Sequence, residues 1–189
     1  MSDPVSALGG AAFDGFASVR EIGPLGMITL RAKADLPVLP AAVKAALGLD
    51  MPAIRRIVVA GDRAVGWMAP DEWLLVMPYA EVSTALATLG RALAGHHALA
   101  VDVSDARAVF RIEGSKAQDV LMKLSPVDFA ALAAGELRRT RAAQVACAFW
   151  RDGDGFTLVS FRSVAGYVMG LLTHSAQPGS ELWLSGTDG

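Results

Sequence analysis

One order of elements can be read twice along this chain, and that duplication constrains the fold more than any single motif. Ile28, Leu30 and Ala32 lie over Phe110, Ile112 and Gly114 at one constant offset. Leu75 and Val76 lie over Leu158 and Val159 at nearly the same offset, and each of these pairs is followed by a helical pattern. Each half therefore reads strand, helix, hairpin, helix. Such a unit leaves one face of its sheet apolar, and pairing two of them buries both faces. The expected fold class is α+β, built from two pseudo-symmetric strand-helix-hairpin-helix halves.

The local signals fill in this plan. Residues 25–32 are strand-like, and residues 37–47 are helical, with Val43 and Leu47 four apart on one face. Residues 64–69 and 72–77 read as two strands joined at Pro70-Asp71, where proline presets the φ of a tight turn. Val82, Leu86, Leu89 and Leu93 mark the clearest amphipathic helix. Residues 98–103 and 108–113 are strands. Ser115 followed by Gln118 predicts a capping box opening a helix that runs to about residue 124. A second hairpin is expected from residues 142–151 and 156–161 around Gly153-Asp154-Gly155, followed by a helix carrying Val164, Tyr167, Val168 and Leu171. Residues 1–21 read as an arm and residues 175–189 as a tail, although Leu182, Trp183 and Leu184 are apolar. The single domain then spans 22–174, in halves of about 22–103 and 104–174.

Hydrophobic residues make up 53% and charged ones 19%, which excludes a disordered chain. Mean hydropathy is high at +0.40, yet no apolar run approaches the ~18 residues of a membrane helix. The surplus apolar surface is expected in a core or on partners. A formal charge of −2 and a pI near 5.9 speak against a nucleic-acid binder. Cys147 stands alone, so no internal disulfide or cysteine-rich metal site can form. The first cation is Arg20, so the basic start of a signal or transit peptide is missing and a cytoplasmic location is expected.

No complete catalytic set emerges from the residues. Gly23 and Gly26 precede a strand, and Gly153 and Gly155 sit in a hairpin, so neither pair makes a phosphate loop between strand and helix. His96 and His97 are adjacent, whereas two ligands on one helix face need i, i+4 spacing; a helix-end role suits them better, as it does His174. Asp102, Ser104 and Asp105 could include a general base, but Asp and Ser after a strand more often hydrogen-bond a turn. Asp152 and Asp154 open something like a calcium loop whose later ligands are missing. Arg138, Arg139 and Arg141 form the densest basic run, fit for an anionic ligand or an acidic partner surface, or simply for a solvated edge. Trp67, Met68 and Trp73 cluster on the first hairpin, with Trp150 on the second. Core packing is the default for such residues. Trp, Met and Arg are also favoured at interfaces, and these seven positions are the candidate partner surface.

These segments resemble a known family. Trp67 through Val76 (Trp-Met-Ala-Pro-Asp-Glu-Trp-Leu-Leu-Val), Asp102-Val103-Ser104-Asp105, Phe110-Arg111-Ile112-Glu113-Gly114, Arg139-Thr140-Arg141 with Gln144-Val145-Ala146, and Phe149-Trp150-Arg151 are similar to the gamma subunit of heterotetrameric sarcosine oxidase. The likeness continues through Phe156-Thr157-Leu158-Val159 to the helix at Tyr167 and covers roughly residues 23–172. It departs from the family pattern near Ser125 and Leu137, where a cysteine is common.

The resemblance implies a fold akin to the folate-binding domain of the glycine-cleavage T-protein. It also implies a complex with alpha, beta and delta chains that oxidatively demethylates sarcosine to glycine, yielding hydrogen peroxide and formaldehyde or methylene-tetrahydrofolate. FAD, FMN, NAD, tetrahydrofolate and zinc are then expected in the partner subunits, and no cofactor on this chain. A T-protein-like enzyme carries a carboxylate on the strand entering its first hairpin, but the corresponding run Ala64-Val65-Gly66-Trp67-Met68 has no acid and cannot supply that base. No catalytic, cofactor or metal residue is carried over. The expected role is structural, with no nucleic-acid or membrane partner. The alternative is a free-standing tetrahydrofolate-binding or aminomethyltransferase-like protein.

Overall fold

Alternation along the strands sends one set of apolar side chains toward helices and the other toward a second sheet, dividing the core into three. The computed structural model describes residues 4–182. Its strands are β1 (Ala12–Asp14), β2 (Ser18–Ile22), β3 (Gly26–Ala32), β4 (Ile57–Ala60), β5 (Arg63–Ala69), β6 (Glu72–Met77), β7 (Ala98–Asp102), β8 (Arg107–Glu113), β9 (Leu137–Ala142), β10 (Val145–Asp152) and β11 (Gly155–Phe161). The helices are α1 (Leu39–Leu47), α2 (Val82–Ala92), α3 (Ala117–Met122) and α4 (Ala165–Ser175). Two antiparallel sheets result, in the orders β4-β5-β6-β3-β7 and β1-β2-β8-β11-β10-β9. None of the described helices is long and apolar enough to cross a membrane.

Ile28, Leu30, Val65, Trp73 and Leu75 pack beneath α1 and α2 against Val43, Leu47 and Leu89. Phe110, Ile112, Phe149, Phe156 and Leu158 do the same beneath α3 and α4, against Val120, Leu121, Val168 and Leu172. Phe129 stacks on Phe149 at 5.6 Å and meets Phe156 edge-on at 6.0 Å. Between the sheets lie Met27, Leu74 and Val76 from one half and Val109, Ala148, Trp150 and Val159 from the other. Met27 and Val109 thus face the partner sheet while their neighbours Ile28 and Phe110 face helices. The repeat offset visible in the sequence is the register of these two halves.

Each half holds one strand more than the periodicity shows. β4 is short, and β9 reads Leu-Arg-Arg-Thr-Arg-Ala, a pattern tolerated because both lie at sheet edges. These two edges meet, with the Ile57 amide donating to the Gly135 carbonyl and the Leu137 amide to the Arg55 carbonyl, each at 3.0 Å. The second hairpin strand begins at Val145 rather than residue 142, because Ala143 takes a positive φ in the turn out of β9. The expected capping box is not made: Lys116 occupies the N-cap of α3 and no side chain caps it. The Gln118 carbonyl instead accepts from the Arg151 guanidinium.

The reading of residues 1–21 as an arm is corrected over its described part. β2 pairs with β8, Val19 opposite Ile112, and continues the sheet. The buried Glu21 carboxylate accepts from the Ser6 hydroxyl at 3.0 Å and from the Leu8 and Gly10 amides at 2.9 Å, anchoring the segment before β1. The Phe16 amide donates to the Ala176 carbonyl at 3.0 Å, tying β1–β2 to the end of α4. Lys123 donates to the Ser175 carbonyl at the end of α4 at 2.7 Å, and beyond α4 the Leu182 amide donates to Asp119 at 3.2 Å. Trp183 and Leu184 lie outside the described residues.

Candidate functional site

The first hairpin sets the geometry. Trp67 pairs with Trp73, and the register slips between Trp67 and Ala69, so Met68 bulges from the ladder. Trp73 is only 3% exposed beneath α1 and α2, and Trp150 only 4% exposed between the sheets. Both were expected on a contact surface, and the structure corrects this: each sits on a strand face covered by another layer. Trp67 and Met68 are half-buried at core margins.

The arginine run lies on edge strand β9. Arg139 and Arg141 are exposed, while Arg138 is half-buried and pairs with Glu136 at 3.1 Å. Burial acts to raise the Glu136 carboxyl, but the Ala133 amide, Arg138 and Arg55 outweigh it and hold the group below its ordinary value.

The bulge and β9 bring charge to one end of the inter-sheet layer. Glu72 is largely buried and accepts from Arg139 across the sheets at 3.3 Å. Arg31, directly opposite Glu72 in the ladder, reaches the same carboxylate at 3.5 Å and Asp71 at 3.8 Å. Arg107 enters from β8, its guanidinium 4.3 Å above the Phe161 ring centroid. Glu72, Arg107, Arg139, Phe161, Ser160 and Cys147 border a cavity of about 60 Å³. Burial pushes the Cys147 thiol up to about 12. Of this cluster, sequence reasoning found only Arg139. Its legible signal is an ionisable residue on the inward parity of an apolar strand, as in Arg107-Ala-Val-Phe.

The remaining candidates are dispersed. Ser104 donates its hydroxyl to Asp102 at 2.6 Å and accepts the Met27 amide at 2.9 Å, while Asp105 accepts from Tyr79 at 3.2 Å. These residues organise the turn between the halves. Arg111 binds Asp152 at 3.0 Å and Asp154 at 3.7 Å. His96 and His97 are exposed beyond α2, and His174 is in the last turn of α4. Among the described residues no group of three His, Cys, Asp or Glu could hold a metal ion.

A family model described as sarcosine oxidase, gamma subunit family, matches residues 31–177. The chain is similar to the sarcosine oxidase subunit gamma of Corynebacterium sp. (strain U-96), 38% identical over 120 residues. That match covers 60% of this chain and 57% of the relative, so it spans little more than half the relative's length. A chain of heterotetrameric sarcosine oxidase from Corynebacterium sp. U-96 superposes with a TM-score of 0.78 at 26% identity, covering 89% of this chain and 88% of that one. Glycine cleavage system aminomethyltransferase T from Bartonella henselae superposes with a TM-score of 0.63 at 16% identity, over 84% of this chain and 45% of that one, a likeness of fold alone.

Proposed function

The chain belongs to the sarcosine oxidase gamma subunit family, and on that premise we propose that it is the gamma subunit of a heterotetrameric sarcosine oxidase, with an assembly role and no catalytic site of its own. The likeness to a chain of that enzyme along 89% of the present one carries this reading. In it, alpha, beta and delta chains hold FAD, FMN, NAD, tetrahydrofolate and zinc in the cytoplasm. The whole enzyme converts sarcosine to glycine with hydrogen peroxide and formaldehyde or methylene-tetrahydrofolate.

The disposition of acids supports a docking rather than a catalytic part. β5 offers no carboxylate to handle protons. Asp102 and Asp152 accept from Ser104 and Arg111 at 2.6 and 3.0 Å, so each already serves a structural bond. Coexpression with the alpha, beta and delta chains tests the reading. A stable copurifying complex is expected; a chain that stays monomeric beside them at micromolar concentration overturns it. The isolated chain should show no change in Trp fluorescence with millimolar tetrahydrofolate, and a saturating change would favour a folate-binding protein instead.

A further inference from the structure

Arg107 carries a guanidinium that its own chain leaves underused. Strand alternation turns it, with Val109, toward the opposite sheet. Its Nε is shielded from water without a hydrogen-bond partner, and no ion pair among the described residues involves it. Burial lowers its pKa, Glu72 opposes that shift and Arg139 adds to it, so both lie within electrostatic reach. Glu72 is already divided between Arg31 at 3.5 Å and Arg139 at 3.3 Å, and Asp71 lies 3.8 Å from Arg31. Three guanidinium groups thus meet two carboxylates, and one positive charge is left over at the Arg107 end.

A shielded guanidinium N–H without an acceptor is costly, which favours an acceptor supplied from outside the chain. The adjoining cavity, about 60 Å³, is well under half the ~150 Å³ that admits a benzene ring. It has room for the head of a carboxylate and not for a larger ring. Glu72 in its wall disfavours a dianion such as phosphate, while a guanidinium fork matches a single carboxylate in shape and charge. The Phe161 ring beneath Arg107 holds the fork in one plane.

We propose that this cleft is a carboxylate-binding site in which Arg107, flanked by Arg139, clamps one carboxylate group. The group belongs either to a free small carboxylate or to an acidic side chain of another polypeptide. The site goes beyond the assembly role and does not depend on it.

The test is a titration of the ¹⁵N-labelled isolated chain with sodium acetate, replacing sodium chloride at constant ionic strength, while the Arg107 Nε–H resonance is followed. The Arg107→Lys variant assigns the resonance. A shift that saturates with a Kd of ~1–50 mM, weakened at least ~3-fold in Arg139→Gln, is expected. A resonance unmoved at about 0.2 M acetate overturns the site. Assembly with the large sarcosine oxidase chains then separates the two sources. A loss of about tenfold or more in the affinity of Arg107→Lys, with circular dichroism unchanged, assigns the carboxylate to a partner side chain. Equal assembly assigns it to a free small molecule. Failure of even the unaltered chain to assemble refutes the assembly role while the acetate result still decides the site.

Discussion

Ser104 joins the two halves through a single hydroxyl, and its removal should be felt throughout the molecule. The side chain is 5% exposed, accepts the amide of Met27 at 2.9 Å and donates to Asp102 at 2.6 Å. The neighbouring Val103 amide donates to the Met27 carbonyl at 2.9 Å, so the start of β3 is held from the chain segment that enters β8. Ser104→Ala strands the Met27 amide at a position only 1% exposed, which costs ~1–3 kcal/mol. The lost bond to Asp102 adds little, since that carboxylate is exposed and rehydrates. A total near 2 kcal/mol is expected. With a urea m-value of ~2 kcal/mol/M the midpoint falls by about 1 M at unchanged slope, read by tryptophan fluorescence. Asp102→Ala should cost less, because Ser104 still accepts from Met27. A loss under ~0.5 kcal/mol for Ser104→Ala, or a larger loss for Asp102→Ala, would refute this account.

Further outcomes follow from packing and burial. A Cβ on Gly15 would fall 1.8 Å from the Ala176 carbonyl oxygen, so Gly15→Ala should destabilise by ~2 kcal/mol or more and speed amide exchange at Phe16. Gly90→Ala, in α2 with open space around the new methyl, should instead stabilise by ~0.5–1 kcal/mol; equal melting temperatures for the two variants would contradict both expectations. Cys147 should resist thiol reagents in the native state, because burial lifts its thiol from an ordinary 9.0 to about 12. The stability this raised value contributes is complete below pH 9.0 and is lost as pH climbs toward 12. Across that window the wild type should lose stability relative to Cys147→Ala, and parallel pH profiles would argue against it.

The duplicated architecture was legible because its signals are local. Period-two alternation in Ile28-Thr29-Leu30 and the 3.6-residue spacing of Val82, Leu89 and Leu93 do not depend on what lies across the core. Pro70-Asp71 and Gly153-Asp154-Gly155 fix turns by their own backbone preferences. β9 was invisible for the opposite reason. Its arginines break the apolar alternation, and an edge position, which only the assembled sheet defines, is what permits them. The tryptophans divide on the same ground: one hairpin pattern leaves Trp67 half-buried and Trp73 covered, because helices lie over one strand and not fully over the other.

The amino-acid order alone determined the two halves, their hairpins and the absence of an acid from β5, since these are properties of neighbouring residues. Tertiary structure decided that residues 12–22 complete a sheet and that Glu72, Arg107 and Arg139 share one cleft, with Arg31 reaching Glu72 from the adjacent strand. Those residues are far apart in sequence, and their charge, burial and pairing come into being only when the second sheet closes over the first.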